Sequence, residues 1–174
     1  MNKQFIIIDT SGPDSFVVLS KNGRLFIEYL PPMKQSETLL PALQKLLENE
    51  VIDFIAVGTG PGSFTGTRVG VMTAKTLAFA KDLPLLPFCS LILYTPSEEG
   101  PFTIYTDALS GKCYALSGNR TKEGVTYEAP TMIQGSHKLS NKLNLDFLRK
   151  YLFNKFIDNE GISKEKTEVY YLKS

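Results

Sequence analysis

The sequence predicts a mixed α/β protein of two lobes, and three observations carry that prediction. Short apolar runs bounded by turn residues recur through the N-terminal half, the pattern of buried strands. A glycine-rich junction, Gly58 to Gly70, then joins an apolar strand-like stretch (Val51 to Val57) to an apolar helix-like one (Val71 to Ala80). Finally, Pro96 to Pro101 breaks the pattern with Pro, Ser, Glu and Gly, which marks a lobe boundary. The expected lobes are residues 1–97 and a smaller 98–174.

Taken in order, Phe5-Ile6-Ile7-Ile8 is a continuous apolar run, as a strand buried on both faces requires. Ser15 to Ser20 and Arg24 to Leu30 flank Lys21-Asn22-Gly23, where Asn-Gly signals a hairpin. Pro31-Pro32 stops the third strand. Leu39, Leu40, Leu43, Leu46 and Leu47 mark an amphipathic helix reaching Glu50. Pro41 falls in its first turn if Thr38 is the N-cap, and inside it, with a kink, if Ser36 is. A strand over 51–57, a helix over 64–81 and a strand at Leu85 to Phe88 complete the lobe. Three meandering strands followed by helix, strand, helix, strand is the ribonuclease-H-like order. Beyond the boundary, Phe102 to Asp107 and Cys113 to Gly118 read as strands, Gly118 to Gly124 as a turn and Lys138 to Ile157 as a helix. Val169 to Leu172 is expected to return as a strand.

Five glycines in the junction need a physical reason, because glycine inside a helix costs about 0.5–1 kcal/mol relative to alanine. A phosphate loop of the Walker type needs a lysine directly before Ser/Thr, and Lys75 lies too far along. The dinucleotide fingerprint also fails, since Pro61-Gly62-Ser63 follows Gly58-Thr59-Gly60. Contact of the helix N-terminus with an anion stays open. Gly66, Gly70, Ala74 and Ala78 recur every fourth residue as a small-residue stripe. One explanation is close packing on the lobe's own sheet. The other is a helix-on-helix contact with a partner, in which case bulk at Gly70 blocks the partner and leaves the fold intact. Ser63 or Thr65 is the N-cap, and Lys81 suits the C-terminal end of the dipole.

Composition narrows the chemistry. A net charge of +1 over 174 residues argues against a dominant polyanion-binding surface. Cys89 and Cys113 fit no metal-ligand spacing, and His137 is the sole histidine, so histidine-based zinc or iron sites and a Ser-His-Asp triad lack their residues. No metal is expected. Met1 to Gln4 leads straight into a strand and no long apolar span follows, so no signal peptide or membrane helix is expected.

Ile6 to Ser11, Ser36-Glu37-Thr38-Leu39-Leu40-Pro41 and the run Gly60 to Gly70 together resemble the TsaB (YeaZ) family of tRNA threonylcarbamoyladenosine biosynthesis proteins. The resemblance runs over about residues 5–91. Beyond it, Thr106 to Tyr114 is similar to the family's Asp-Ala-Arg segment with Leu109 in place of Arg, and Gln35 stands where members commonly carry His. The resemblance implies an actin-like/Hsp70-like ATPase fold of ribonuclease-H-like lobes, here with a shortened second lobe. It implies a cytoplasmic, non-catalytic subunit that pairs with a TsaD-like enzyme, joined by a TsaE-like ATPase, and meets tRNA indirectly through the complex. It implies no cofactor of the chain's own, with ATP at a complex interface left open. The implied partner contact uses the two N-terminal-lobe helices, through Ser36, Leu39, Leu43, Ser63, Thr65, Gly66, Arg68, Gly70 and Ala74. A homodimer over the same stripe is the alternative when the partner is absent.

The rival function is a small ATP-binding enzyme of the actin-like class using Asp9 and Asp107. Asp9, with Thr10 and Ser11, stands where such enzymes place a Mg²⁺- or phosphate-associated carboxylate. The plainer reading is a turn that caps the strand end, and a lone carboxylate without a phosphate loop favours it.

Overall fold

In the computed structural model, described here for residues 3–32, 34–160 and 162, the chain forms two compact units. One runs to Ser90 and resumes at Arg149; the other is Leu91–Leu148. The expected boundary at 97/98 thus stands beside a division at Ser90 and a second one within the last helix. The expected strand at 169–172 lies outside the described residues.

The first unit is a five-stranded mixed sheet with strand order β3-β2-β1-β4-β5. β1 (Phe5–Asp9), β2 (Phe16–Lys21) and β3 (Arg24–Tyr29) are antiparallel; β4 (Phe54–Gly58) joins β1 in parallel and β5 (Leu85–Phe88) joins β4 in parallel. Asn22 and Gly23 take positive φ values of 52° and 76°, the type I′ turn whose twist matches the flanking strands. β4 begins three residues later than expected, because Asp53 closes the start of β1: its carboxylate accepts from Lys3 Nζ and from the Gln4 amide, both at 2.8 Å.

The unbroken apolar run of β1 is explained by cover on both faces. Ile6 and Ile8 pack with Leu39 and Leu43 of α1 (Gln35–Leu47) and with Val71, Ala74 and Ala78 of α2 (Phe64–Lys81). Phe5 stacks on Phe54, and Phe54 stacks on Phe156 of α3 (Leu145–Ile157), with ring centroids 4.3 and 4.1 Å apart. Each such fully buried side chain contributes about 1.5–3 kcal/mol.

α1 starts earlier than either expected cap. Lys34 is its N-cap, without a side-chain cap bond, and the Thr38 hydroxyl instead donates back to the Lys34 carbonyl at 2.8 Å. Pro41 therefore sits inside the helix, where it cannot donate to the Glu37 carbonyl.

The second unit holds a four-stranded antiparallel sheet. β7 (Lys112–Arg120) pairs along one edge with β6 (Gly100–Asp107), and its other edge is shared by β8 (Val125–Tyr127) and β9 (Thr131–Gln134). The turn expected from Gly118 is thereby displaced, since β7 continues to Arg120. α3 starts at Leu145 and not at Lys138, for two reasons. Ser140 is held by β6, its amide donating to the Tyr105 carbonyl at 2.7 Å. Asn144 is committed as the cap, its Oδ1 accepting from the Phe147 amide at 3.2 Å while its Nδ2 donates to the Thr95 carbonyl. His137 stacks on Tyr105 at 4.5 Å, a packing role for the lone imidazole.

Candidate partner interface

The glycine junction closes the end of β1 onto α2. Within it the Gly60-Pro61 bond is cis and Gly60 has a φ of 88°. The Gly60 amide donates to Ser90 Oγ at 3.0 Å, the Ser63 amide to the Ser11 carbonyl at 2.7 Å, and the Thr59 amide to the Phe88 carbonyl at 2.9 Å. These three donors are consumed inside the unit and are withheld from any anion. Ser63 is the N-cap of α2, its hydroxyl accepting from the Gly66 amide at 3.2 Å. At the other end Asp82 takes the left-handed conformation just after Lys81.

The small-residue stripe faces inward. A Cβ on Gly66 would overlap the Thr10 carbonyl oxygen, and one on Gly70 would overlap Thr10 Oγ1, which itself donates to the Gly66 carbonyl at 2.6 Å. Ala74 and Ala78 are buried in the same core. The stripe is therefore filled by the chain's own first strand and the turn after it. Of the nine residues expected at a partner contact, Leu39, Leu43, Gly66, Gly70 and Ala74 are buried here and are not available to another chain. The physical reason is the crowding at the end of β1, where the Thr10 turn and α2 meet at backbone distance.

Ser36, Ser63, Thr65 and Arg68 are exposed, and they border a feature that was not expected. Opposite the stripe, α2 exposes Phe64 (58%), Met72 (61%) and Phe79 (90%). Spacings of eight and seven residues set these on one helix face, with Arg68 between the first two. The Arg68 guanidinium lies 3.6 Å from the Phe64 ring centroid, a cation–π contact that orders both side chains. α1 packs against α2, and its Leu40 is also exposed. Lys75 falls on the same face of α2 as Phe64, Met72 and Phe79, so the exposed surface of α2 combines three large apolar side chains with two basic ones. Its signal was present in the sequence, but α2 is apolar around most of its circumference and periodicity alone did not separate the two faces.

Asp9 is 1% exposed. Its Oδ1 accepts from the Ser11 amide at 2.8 Å and the Ser11 hydroxyl at 2.6 Å, and its Oδ2 meets no partner in hydrogen-bonding geometry among the described residues. Burial pushes this carboxyl above its ordinary value, offset in part by the Ser11 hydroxyl, the nearby Ser90 hydroxyl and the Ser11 amide. Gly58 is required beside it, because a Cβ there would overlap Oδ2. This geometry supports the capping-turn reading. Asp107 makes a similar local turn, its Oδ1 accepting from the Leu109 amide at 2.8 Å at an exposed hairpin tip. Among the described residues no group of three or more His, Cys, Asp or Glu side chains is placed to hold a metal ion.

The raised Asp9 value has a stability consequence with a definite sign. The folded chain favours the neutral carboxyl, so this group's contribution is fully present below its ordinary value of 3.8 and is lost as pH rises through the elevated folded value. Asp9→Asn keeps an acceptor for Ser11 without the charge. The variant is expected to melt above the parent chain at pH 7, with the gap closing toward pH 4 in parallel thermal scans.

The fold and the sequence have known relatives. Residues 33–150 match the family profile described as TsaD: tRNA N6-adenosine threonylcarbamoyltransferase. The tRNA threonylcarbamoyladenosine biosynthesis protein TsaB of Haemophilus influenzae is 36% identical over 96 residues, covering 52% of this chain and 41% of that protein. TsaB of Bacillus subtilis is 34% identical over 119 residues, covering 63% and 52%. The chain spans about half the length of these curated relatives. The solved structure of YeaZ from Pseudomonas aeruginosa superposes with a TM-score of 0.84 at 21% identity, covering 98% of this chain and all of that one. The fold is the actin-like, ribonuclease-H-like one.

Proposed function

Since the chain belongs to the TsaB (YeaZ) group of the TsaD family, we propose that it serves tRNA threonylcarbamoyladenosine formation as a non-catalytic subunit. Its partner is a TsaD-like catalytic subunit, docked on the outer face of α2 and the neighbouring surface of α1. The observation that carries this reading is the exposed Phe64–Met72–Phe79 face, an apolar surface on the lobe's own covering helix. Arg68, stacked on Phe64, places a positive charge at the N-terminal end of that face. A TsaE-like ATPase joins the assembly, and tRNA is met through the complex in the cytoplasm. The chain uses no cofactor of its own, and any ATP belongs to a site that the complex completes.

The turn geometry of Asp9 and Asp107 supports a role in the fold over the rival ATPase chemistry, since each spends an oxygen on a backbone amide two residues on. Co-expression with the same organism's TsaD, followed by size-exclusion mass measurement, tests the proposal. A stable heteromer, with no ATP turnover by the isolated chain, is the expected result. A chain that elutes alone, or that hydrolyses ATP alone, overturns it.

A further inference from the structure

We propose that β3 is a second docking surface, at which another copy of this chain adds antiparallel and continues the sheet. This goes beyond the subunit role above and does not depend on it. β3 is the outermost strand of its sheet, and it exposes Phe26 (46%), Ile27 (36%) and Tyr29 (61%). Natural edge strands are blunted by charged side chains, proline or a bulge, and of these β3 carries only the charges of Arg24 and Glu28. Here Pro31-Pro32 comes only after the strand has ended, and the pairing with β2 is regular from Arg24 to Tyr29.

The hairpin fixes which backbone groups point outward. A two-residue turn at Asn22-Gly23 makes Lys21 and Arg24 the pair that exchanges both backbone hydrogen bonds. By alternation, Phe26 and Glu28 also direct their N–H and C=O groups at β2. Leu25, Ile27 and Tyr29 then direct theirs away from β2, to an edge that no other described strand occupies. A second copy must satisfy those groups with its own Leu25 and Ile27, which restricts the antiparallel register to steps of two residues.

Only one of the central registers matches charge. Setting Leu25 against Ile27 of the second copy places Phe26 against its own counterpart on the two-fold axis. The same register places Arg24 opposite Glu28 on both sides of that axis. These are non-hydrogen-bonded positions, where facing side chains approach most closely. A shift of two residues in either direction sets Phe26 against Glu28 or against Arg24, and the charge match is lost. Glu28 is already ordered within its own chain, its Oε1 lying 2.6 Å from Lys45 Nζ of α1.

Sedimentation equilibrium of the full chain over a range of concentrations tests the proposal, and the mass is expected to rise from one chain to two. Arg24→Glu sets acidic side chains against each other at both ends, and is expected to weaken association about tenfold. Adding Glu28→Arg to that variant is expected to restore it, with thermal melts establishing that both variants fold. A chain monomeric at every concentration overturns the proposal. So does association unmoved by Arg24→Glu, or lost in it and not restored by the double exchange. Association abolished by Met72→Asp and untouched by Arg24→Glu overturns it as well, because the copies then meet through α2.

Discussion

Met72→Asp combined with Phe79→Asp is expected to abolish co-purification with a TsaD-like partner while leaving the melting temperature within a few degrees of the parent chain. Both side chains are mostly in solvent, so the isolated fold loses little when they become polar. A docked partner changes that balance, because it removes the helix face from water and strands two carboxylates in an apolar contact. Central interface residues of this type cost about 2–4 kcal/mol each when disrupted, which is about 30- to 1000-fold in Kd. Val51→Asp is the control: Val51 is 83% exposed and apolar, but lies on neither helix, and the change is expected to leave binding unaltered. Retention of the heteromer at parental yield by the double variant would remove α2 from the interface.

The sequence made the first unit legible because its signals are local and agree with one another. Asn22-Gly23 dictates a hairpin, the apolar run Phe5 to Ile8 dictates cover on both faces, and Ser63 or Thr65 offers the cap where α2 begins, which the structure gives to Ser63. The glycines of the junction announced a close approach but not its partner. A stripe of small residues looks the same whether a strand of the same chain or a helix of another lies against it. That choice depends on the Thr10 turn, 56 residues before Gly66. The apolar character of Phe64, Met72 and Phe79 blended into a helix that is apolar on its inner side too. In the second unit the obstacle was different. β8 and β9 are three and four residues long, and they exist because β7 offers them an edge, not because of their own propensity. The segment before α3 reads as helical by composition, yet Ser140 and Asn144 are claimed by bonds to residues far away in sequence.

Gly66→Ala is expected to lower the stability of the isolated chain by about 2–3 kcal/mol, although alanine is the better helix former by about 1 kcal/mol. The reason lies in what the new methyl group meets. At Gly66 it is the carbonyl oxygen of Thr10, a backbone atom that cannot rotate away. Thr10 is further tied to α2 by its own hydroxyl bond to the Gly66 carbonyl, and the adjoining Ser11 carbonyl holds the Ser63 amide. Relief of the overlap therefore loosens the junction that sets the start of α2. For a chain of this length the loss corresponds to a melting temperature about 4–12 °C lower. Gly70→Ala meets only the Thr10 hydroxyl, which can turn aside at the expense of one hydrogen bond, so its effect should be the smaller of the two. Gly70→Leu cannot be accommodated that way, and it is expected to unfold the unit, not merely to block a partner as the sequence suggested. Gly124→Ala, with open space where its methyl group would go, should melt with the parent chain. A Gly66→Ala chain as stable as the parent in thermal and urea unfolding would mean that α2 does not sit against the Thr10 turn.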